Sequence, residues 1–334
     1  MPKNWADLPD EKIIEMRICD LDLSLEGSAV QSAIAQLYKE LNVKGLSLKP
    51  LFYLSDEWFS PEDTIMISIP FYLAHQKLRD IEKKMMLEVE GGDFEECLKF
   101  LRHETGHVIA HAYQLHRKRK WQNLFGLSSQ EYDPENYDPK PYSKNFVRNL
   151  TNFYAQSHPD EDFAETFAVW LSPKSDWKNQ YAKWKAYEKL LYMDKLMKEI
   201  ATQKPVLISK AKLRPVHQIK ARLINYYKKK QYYFGSYIPS FYDKDLLQLF
   251  SLDSKASTMT AGKFLDYHGK ELRNRIAQWT GVKKYTIGEL IKSLTKRCED
   301  LHLMCKSNSE KTKFELSSYL TTLVTNYKHT GTFK

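Results

Sequence analysis

The segment LRHETGHVIAHAYQLH, residues 101–116, sets His103, His107 and His111 four residues apart. That spacing calls for a helix, because only there do residues i and i+4 stand one above the other. It also calls for a core beside the helix. Phe94, Cys97, Leu98, Leu101, Val108, Ile109, Ala112 and Leu115 recur at helical spacing and make an apolar stripe. The histidines lie nearly opposite this stripe, on a face expected to line a cleft. Asp93 is the predicted N-cap, and the helix is expected to run through the whole segment. The run HRKRK at 116–120 reads as its solvated end, where basic groups suit the helix dipole.

His103-Glu104-Thr105-Gly106-His107 is an H-E-x-x-H motif. On a helix its two imidazoles can point at one tetrahedral zinc ion, and Glu104 projects beside them. There it can take a proton from a water whose pKa the metal has lowered. Gly106 costs about 1 kcal/mol against alanine in a helix interior, and is expected to leave room near the metal. His111, one turn further, is expected to be a surface or packing histidine. A catalytic zinc needs a third protein ligand. A motif extended by glycine at position 110 and histidine at 113 is excluded, since the chain has Ala110 and Tyr113. HPDEDFAETFAVWL, residues 158–171, offers Glu161 and Glu165, again i and i+4, on a helix that Pro159 opens well. One carboxylate can hold the metal while the other holds a histidine ring by its second nitrogen.

Elsewhere a helix is expected over 27–41 and strands over 46–55 and 64–73. In the second strand Ile65, Ile67 and Ile69 share one face, and Pro70 argues for a sheet edge. A helix follows at about 74–89 and breaks at Glu90-Gly91-Gly92. Residues 125–159, with EYDPENYDPKPYS, form a loop long enough to suggest a function. Helical patterns continue at 175–202, 216–232, 260–279, 286–306 and 313–327, and residues 203–218 look like a boundary. The fold class is therefore α+β, with domains expected at 1–204 and 205–334. The second of these is read as a basic α-helical accessory domain.

Hydrophobic residues make up 42% of the 334 and aromatics 13%, enough for a sizeable core. No run of 18 apolar residues exists, so no membrane span is expected. The N-terminus MPKNWADLPDEK has no apolar signal region, and a cytoplasmic location is expected. Of the four cysteines, Cys298 and Cys305 would lie about 10 Å apart on a helix, too far for a disulfide. Free thiols in a reducing compartment are expected. Charge is uneven: residues 201–334 carry 25 Lys+Arg against 10 Asp+Glu, a net of +15, and the remainder nets −6. The basic C-terminal part is expected to recruit an acidic partner.

RHETGH together with AQSHPDEDFAETFAVWL resembles the bacterial zinc-binding metallopeptidases and, more broadly, gluzincins such as the lethal-factor-like peptidases, whose second motif is E-x-x-x-E. The resemblance covers about residues 8–200 and includes LPDEKIIEMRICDL, LSDEWFSP, IPFYLAHQKL and MLEVEGG. It implies a zincin-like domain with a small mixed sheet and an active-site helix, one zinc ion per chain, and hydrolysis of a peptide or protein substrate. Carried over residue by residue, it implies that His103, His107 and Glu161 bind zinc, Glu165 supports a histidine, and Glu104 is the general base. Tyr154, seven residues before Glu161, would stabilise the oxyanion, although Tyr113, Tyr137 and Tyr142 could also reach the cleft. Ile67 and Ile69 on the edge strand, where a peptide could add as a further strand, and His158 are assigned to the substrate cleft. The alternative is a catalytically silent zinc-binding or adaptor protein that recruits acidic partners or nucleic acid through the basic region. Intact Glu104 speaks against silence, and no recognised nucleic-acid motif supports the latter.

Overall fold

A computed structural model describes residues 5–132, 137, 140, 142–234, 242–253, 257–306, 309–330 and 333. Part of EYDPENYDPKPYS lies outside them. The chain divides into two compact units, residues 1–83 with 89–226, and residues 84–88 with 227–334.

After short helical turns at Trp5–Asp7, Asp10–Ile13 and Ile18–Asp20, the first unit forms helix α1, Ala29–Val43. Val30, Ala33, Leu37 and Leu41 sit three or four apart and are buried. On the same helix Glu40 is buried too, and accepts two 2.7 Å hydrogen bonds from Arg102. Strands β1, Leu51–Ser55, and β2, Met66–Pro70, pair in parallel with Leu51 opposite Met66. The expected mixed sheet is thus smaller: the antiparallel element is one bridge from Phe59 to Ser68. All of β2 is buried, not only one alternating face.

Its outer edge is also occupied. Ser68 N donates to Phe59 O at 2.8 Å, Met66 N to Thr64 Oγ1 at 3.2 Å, and Pro70 has no N–H. Ile67 and Ile69 are each 0% exposed. The expectation that they line a peptide cleft on a free edge is therefore corrected: they are core residues, and the segment at Phe59 already holds the edge.

Helices α2, Gln76–Met86, and α3, Phe94–Ala112, follow. Asp93 caps α3 by accepting from Glu96 N at 2.9 Å. The helix stops at Ala112, earlier than expected. Gln114 is left-handed at φ 49°, and Ala112 O accepts from Val206 N and Leu207 N. A new helix, α4, Arg119–Phe125, starts inside the basic run because Trp121 and Phe125 are buried against Phe163. Helix α5, Pro159–Leu171, packs along α3, and α6, Ala186–Ile200, packs on α5.

Gly106 sets the approach of α3 and α5. A Cβ there would stand 2.8 Å from Ala164 Cα and 3.2 Å from Ala164 O. The glycine makes room for a neighbouring backbone, a different use from the space near a metal that the sequence suggested.

Residues 205–226 belong to the first unit, so the boundary expected after residue 204 falls after Tyr226. The reason lies in backbone pairing: Ile65 N donates to Ser209 O, Ile18 N to Ala221 O, and Ile224 N to Ile14 O.

In the second unit helices α7, Asp243–Leu249, α8, Ala261–Thr280, α9, Lys284–Asp300, and α10, Ser309–Thr330, enclose an apolar core. Phe250, Phe264, Leu272, Leu290, Leu294, Leu320 and Phe333 are among its buried members. Gly281, at φ 73°, ends α8 in the left-handed conformation that glycine adopts freely. No helix among the described residues is long and apolar enough to cross a membrane.

Candidate metal centre

Helix α3 presents His103 and His107 one turn apart on its α5-facing side, and α5 presents Glu161 from its first turn. Three donor atoms converge. His103 Nε2 and His107 Nε2 are 3.1 Å apart. Glu161 Oε2 stands 3.0 Å from the first and 3.1 Å from the second. Nitrogen and oxygen ligands about 2.0–2.1 Å from a tetrahedral zinc ion lie about 3.3 Å from each other, so this triangle is close to the size such an ion needs. The donor set, two imidazoles and a carboxylate, also suits zinc. The residues present fit the metal that the motif implies.

Several side chains support the triangle. His103 Nδ1 bonds Glu165 Oε1 at 2.8 Å, which turns Nε2 inward. Glu165 is itself held: Asn149 Nδ2 donates to Oε1 and Leu150 N to Oε2, both at 2.8 Å. Both of its oxygens are thus engaged away from the triangle. Glu104 is buried, and Ser60 Oγ donates to its Oε2 at 2.8 Å. The ring of Tyr154 lies 5.7 Å from that of His103. Its hydroxyl is 3.0 Å from that of Tyr132, and Tyr132 donates to Glu161 Oε1 at 2.9 Å.

The histidines and carboxylates stabilise each other's charged forms. Burial pushes the His103 imidazole down, but the hydrogen bonds and charges of Glu161 and Glu165 outweigh it and hold its pKa well above the ordinary value. Burial pushes Glu161 up, and His107 and His103 outweigh that, so its carboxyl stays well below the usual range. Burial first, and then the charge of Glu161, push the Tyr154 hydroxyl up, which keeps it a proton donor.

The structure thus brings His103, His107 and Glu161 to one point, with Glu165 behind His103. His111 lies apart from it, as expected, and so do His158 and two of the alternative tyrosines. His111 Nδ1 accepts from Asp63 N at 3.2 Å and makes no part of the triangle. His158 is the N-cap of α5, accepting from Asp160 N, and its ring packs edge-on against Tyr132. Of the alternative tyrosines, Tyr113 donates to Gln203 O and Tyr142 is 92% exposed. Ser60, Tyr132, Asn149 and the N–H of Leu150 were not singled out in the sequence. They sit on irregular segments, where no periodicity marks them.

Residues 66–206 match the family described as "Putative zinc-binding metallo-peptidase". The matched segment opens at the first residue of β2 and carries both α3 and α5, hence all three atoms of the triangle. No curated protein and no solved structure matches the chain.

Proposed function

We propose that the first unit is a zinc-dependent metallopeptidase of gluzincin type with a zincin-like fold, and that it hydrolyses peptide bonds. The observation that carries this reading is the triangle of His103 Nε2, His107 Nε2 and Glu161 Oε2, 3.0–3.1 Å on each side, inside the family-matched segment. These three residues would hold the metal, one ion per chain. A zinc ion supplies Lewis acidity, which acidifies water and polarises a carbonyl.

The chain's own groups supply the rest. Glu104 accepts a proton from the attacking water and returns it to the leaving amine. Ser60, bonded to Glu104 Oε2, orients that carboxylate. Glu165 fixes the tautomer of His103 by accepting the hydrogen bond from its Nδ1–H. Tyr154, kept protonated by burial and the nearby carboxylate, donates to the oxyanion. The buried walls of α3 and α5 exclude bulk water and strengthen each of these interactions.

The basic C-terminal part, net +15 over 201–334, is proposed to recruit an acidic protein partner or to position substrate. Free cysteines, three of the four buried, suit a reducing compartment such as the cytoplasm.

The test is metal analysis of the purified protein together with cleavage of a diverse peptide library, with Glu104→Gln as control. About one zinc per chain is expected, with cleavage lost and zinc retained in Glu104→Gln. A protein that takes up no zinc, or a Glu104→Gln variant that cleaves as well as wild type, would refute the proposal.

A further inference from the structure

Beside the triangle, two phenols and one carboxylate form a chain whose direction can be worked out. Tyr132 Oη is 2.9 Å from Glu161 Oε1 and 3.0 Å from Tyr154 Oη. A carboxylate oxygen has no proton to give, so Tyr132 donates to Glu161. A phenol has only one proton. With that of Tyr132 engaged, the second contact must be Tyr154 donating to the oxygen of Tyr132. Tyr132 is the hydrogen-bond partner of Tyr154 Oη among the described residues. The order is therefore Tyr154 to Tyr132 to Glu161.

Tyr132 is 51% exposed, yet its hydroxyl turns inward to Glu161. Its ring is seated edge-on against His158, with centroids 5.2 Å apart. His158 in turn is fixed at both nitrogens, by Asp160 N and by Gln130 O. A half-exposed loop side chain is thus anchored to the cap of the helix that carries Glu161.

We propose that Tyr132 is a positioning residue of this site. It holds Glu161 by Oε1 so that Oε2 faces the two histidines. It also occupies the Tyr154 proton until a substrate oxygen takes its place. The proposal rests on the zinc-site reading above. It gives His158 a part as well, as the seat of the Tyr132 ring.

The test measures zinc affinity by competition with a chromogenic chelator, on the full chain of wild type, Tyr132→Phe, Tyr154→Phe and Tyr132→Phe/Tyr154→Phe. The thermal midpoint of each metal-free protein is measured alongside. Removing the donor that orients a metal ligand typically weakens binding about 10–100-fold. Tyr132→Phe should show a loss of that order with an unchanged metal-free midpoint. Tyr154→Phe should bind zinc as wild type does and lose turnover only, and the double variant should bind no more weakly than Tyr132→Phe. Wild-type affinity in Tyr132→Phe overturns the inference and leaves the zinc site standing. A wild-type protein that binds no zinc overturns both. A loss of affinity that only follows a lowered metal-free midpoint in Tyr132→Phe makes Tyr132 a fold residue and also overturns the assignment.

Discussion

The two compact units bury different chemistry. In the first, charged side chains run through the interior: Glu40 with Arg102, His103 and Glu104 on α3, Glu161, Asp162 and Glu165 on α5, and Lys189 paired with Asp162. Among the described residues of the second, the buried polar ones are the threonines Thr286, Thr295 and Thr312, and the charges lie nearer the surface. Buried charge is costly unless paired and hydrogen-bonded. The first unit therefore carries a network of paired buried charges, while the second has the interior of an ordinary helical bundle. The difference teaches where substitutions should matter and in what way.

The largest effects belong to the triangle. Glu161→Gln and His103→Ala should abolish zinc uptake and peptide cleavage together, as metal titration and library cleavage would detect. Glu165→Gln, which removes support and not a ligand atom, should cost about 10–100-fold in affinity or activity and leave measurable zinc. The reverse ranking of the two glutamates would break the assignment. No substitution confined to the core of the second unit should alter zinc affinity.

Next come the ion pairs. Arg102→Ala leaves Glu40 buried without its bidentate partner, and should cost about 3–5 kcal/mol in chemical denaturation. In the second unit Arg297 pairs bidentately with Asp243, but both side chains are 38% exposed. Arg297→Ala should cost only a small fraction of the Arg102 loss. Equal losses would erase the contrast between the units.

Two mid-helix glycines make a finer comparison. In Gly106→Ala the new methyl would meet the backbone of Ala164 at 2.8 Å. Overpacking of this kind costs about 1–3 kcal/mol, and forcing α3 from α5 should also weaken zinc binding. In Gly269→Ala the methyl meets only Ile291 Cγ2, at an ordinary 3.4 Å. There the gain in helix propensity, up to about 1 kcal/mol, should show as a raised denaturation midpoint.

The smallest difference is expected at the thiols. Burial pushes Cys97 in the first unit and Cys298 in the second up to about 12. A raised pKa leaves less thiolate at pH 8, so both should resist iodoacetamide in the folded protein while the half-exposed Cys19 reacts. Mass spectrometry of peptides after brief alkylation would check this. Fast labelling of only one buried thiol would reveal which unit opens first.

Much of this organisation was legible in the chain. The apolar stripe of α3, its Asp93 cap, the paired histidines and the i, i+4 glutamates all follow helical spacing, which is a local property. What escaped was long-range. Tyr113 and Gln114 carry no strong stop signal, and the carbonyl of Ala112 that ends α3 is claimed by residues 206 and 207. β2 reads as an edge strand because of Pro70, yet a segment only nine residues upstream, at Phe59, returns to cover it. Gly106 was placed in the right helix for the wrong neighbour, since nothing local says that Ala164 packs there. Ser60 and Tyr132 lie on irregular segments and become visible only when Glu104 and Glu161 are in position.

The Arg102–Glu40 pair also bears on how the family-matched segment could be moved between proteins. The family match spans 66–206, but Glu40 lies before it, as does Ser60, and the backbone partners Ser209, Ala221 and Ile224 come after it. A graft of the matched residues alone would carry an orphan guanidinium into its own interior. That single debt, about 3–5 kcal/mol, rivals the whole stability of a small domain, about 5–15 kcal/mol. The folding module in this chain is accordingly wider than its recognisable signature, reaching back past α1 to Ile14 and forward to Tyr226.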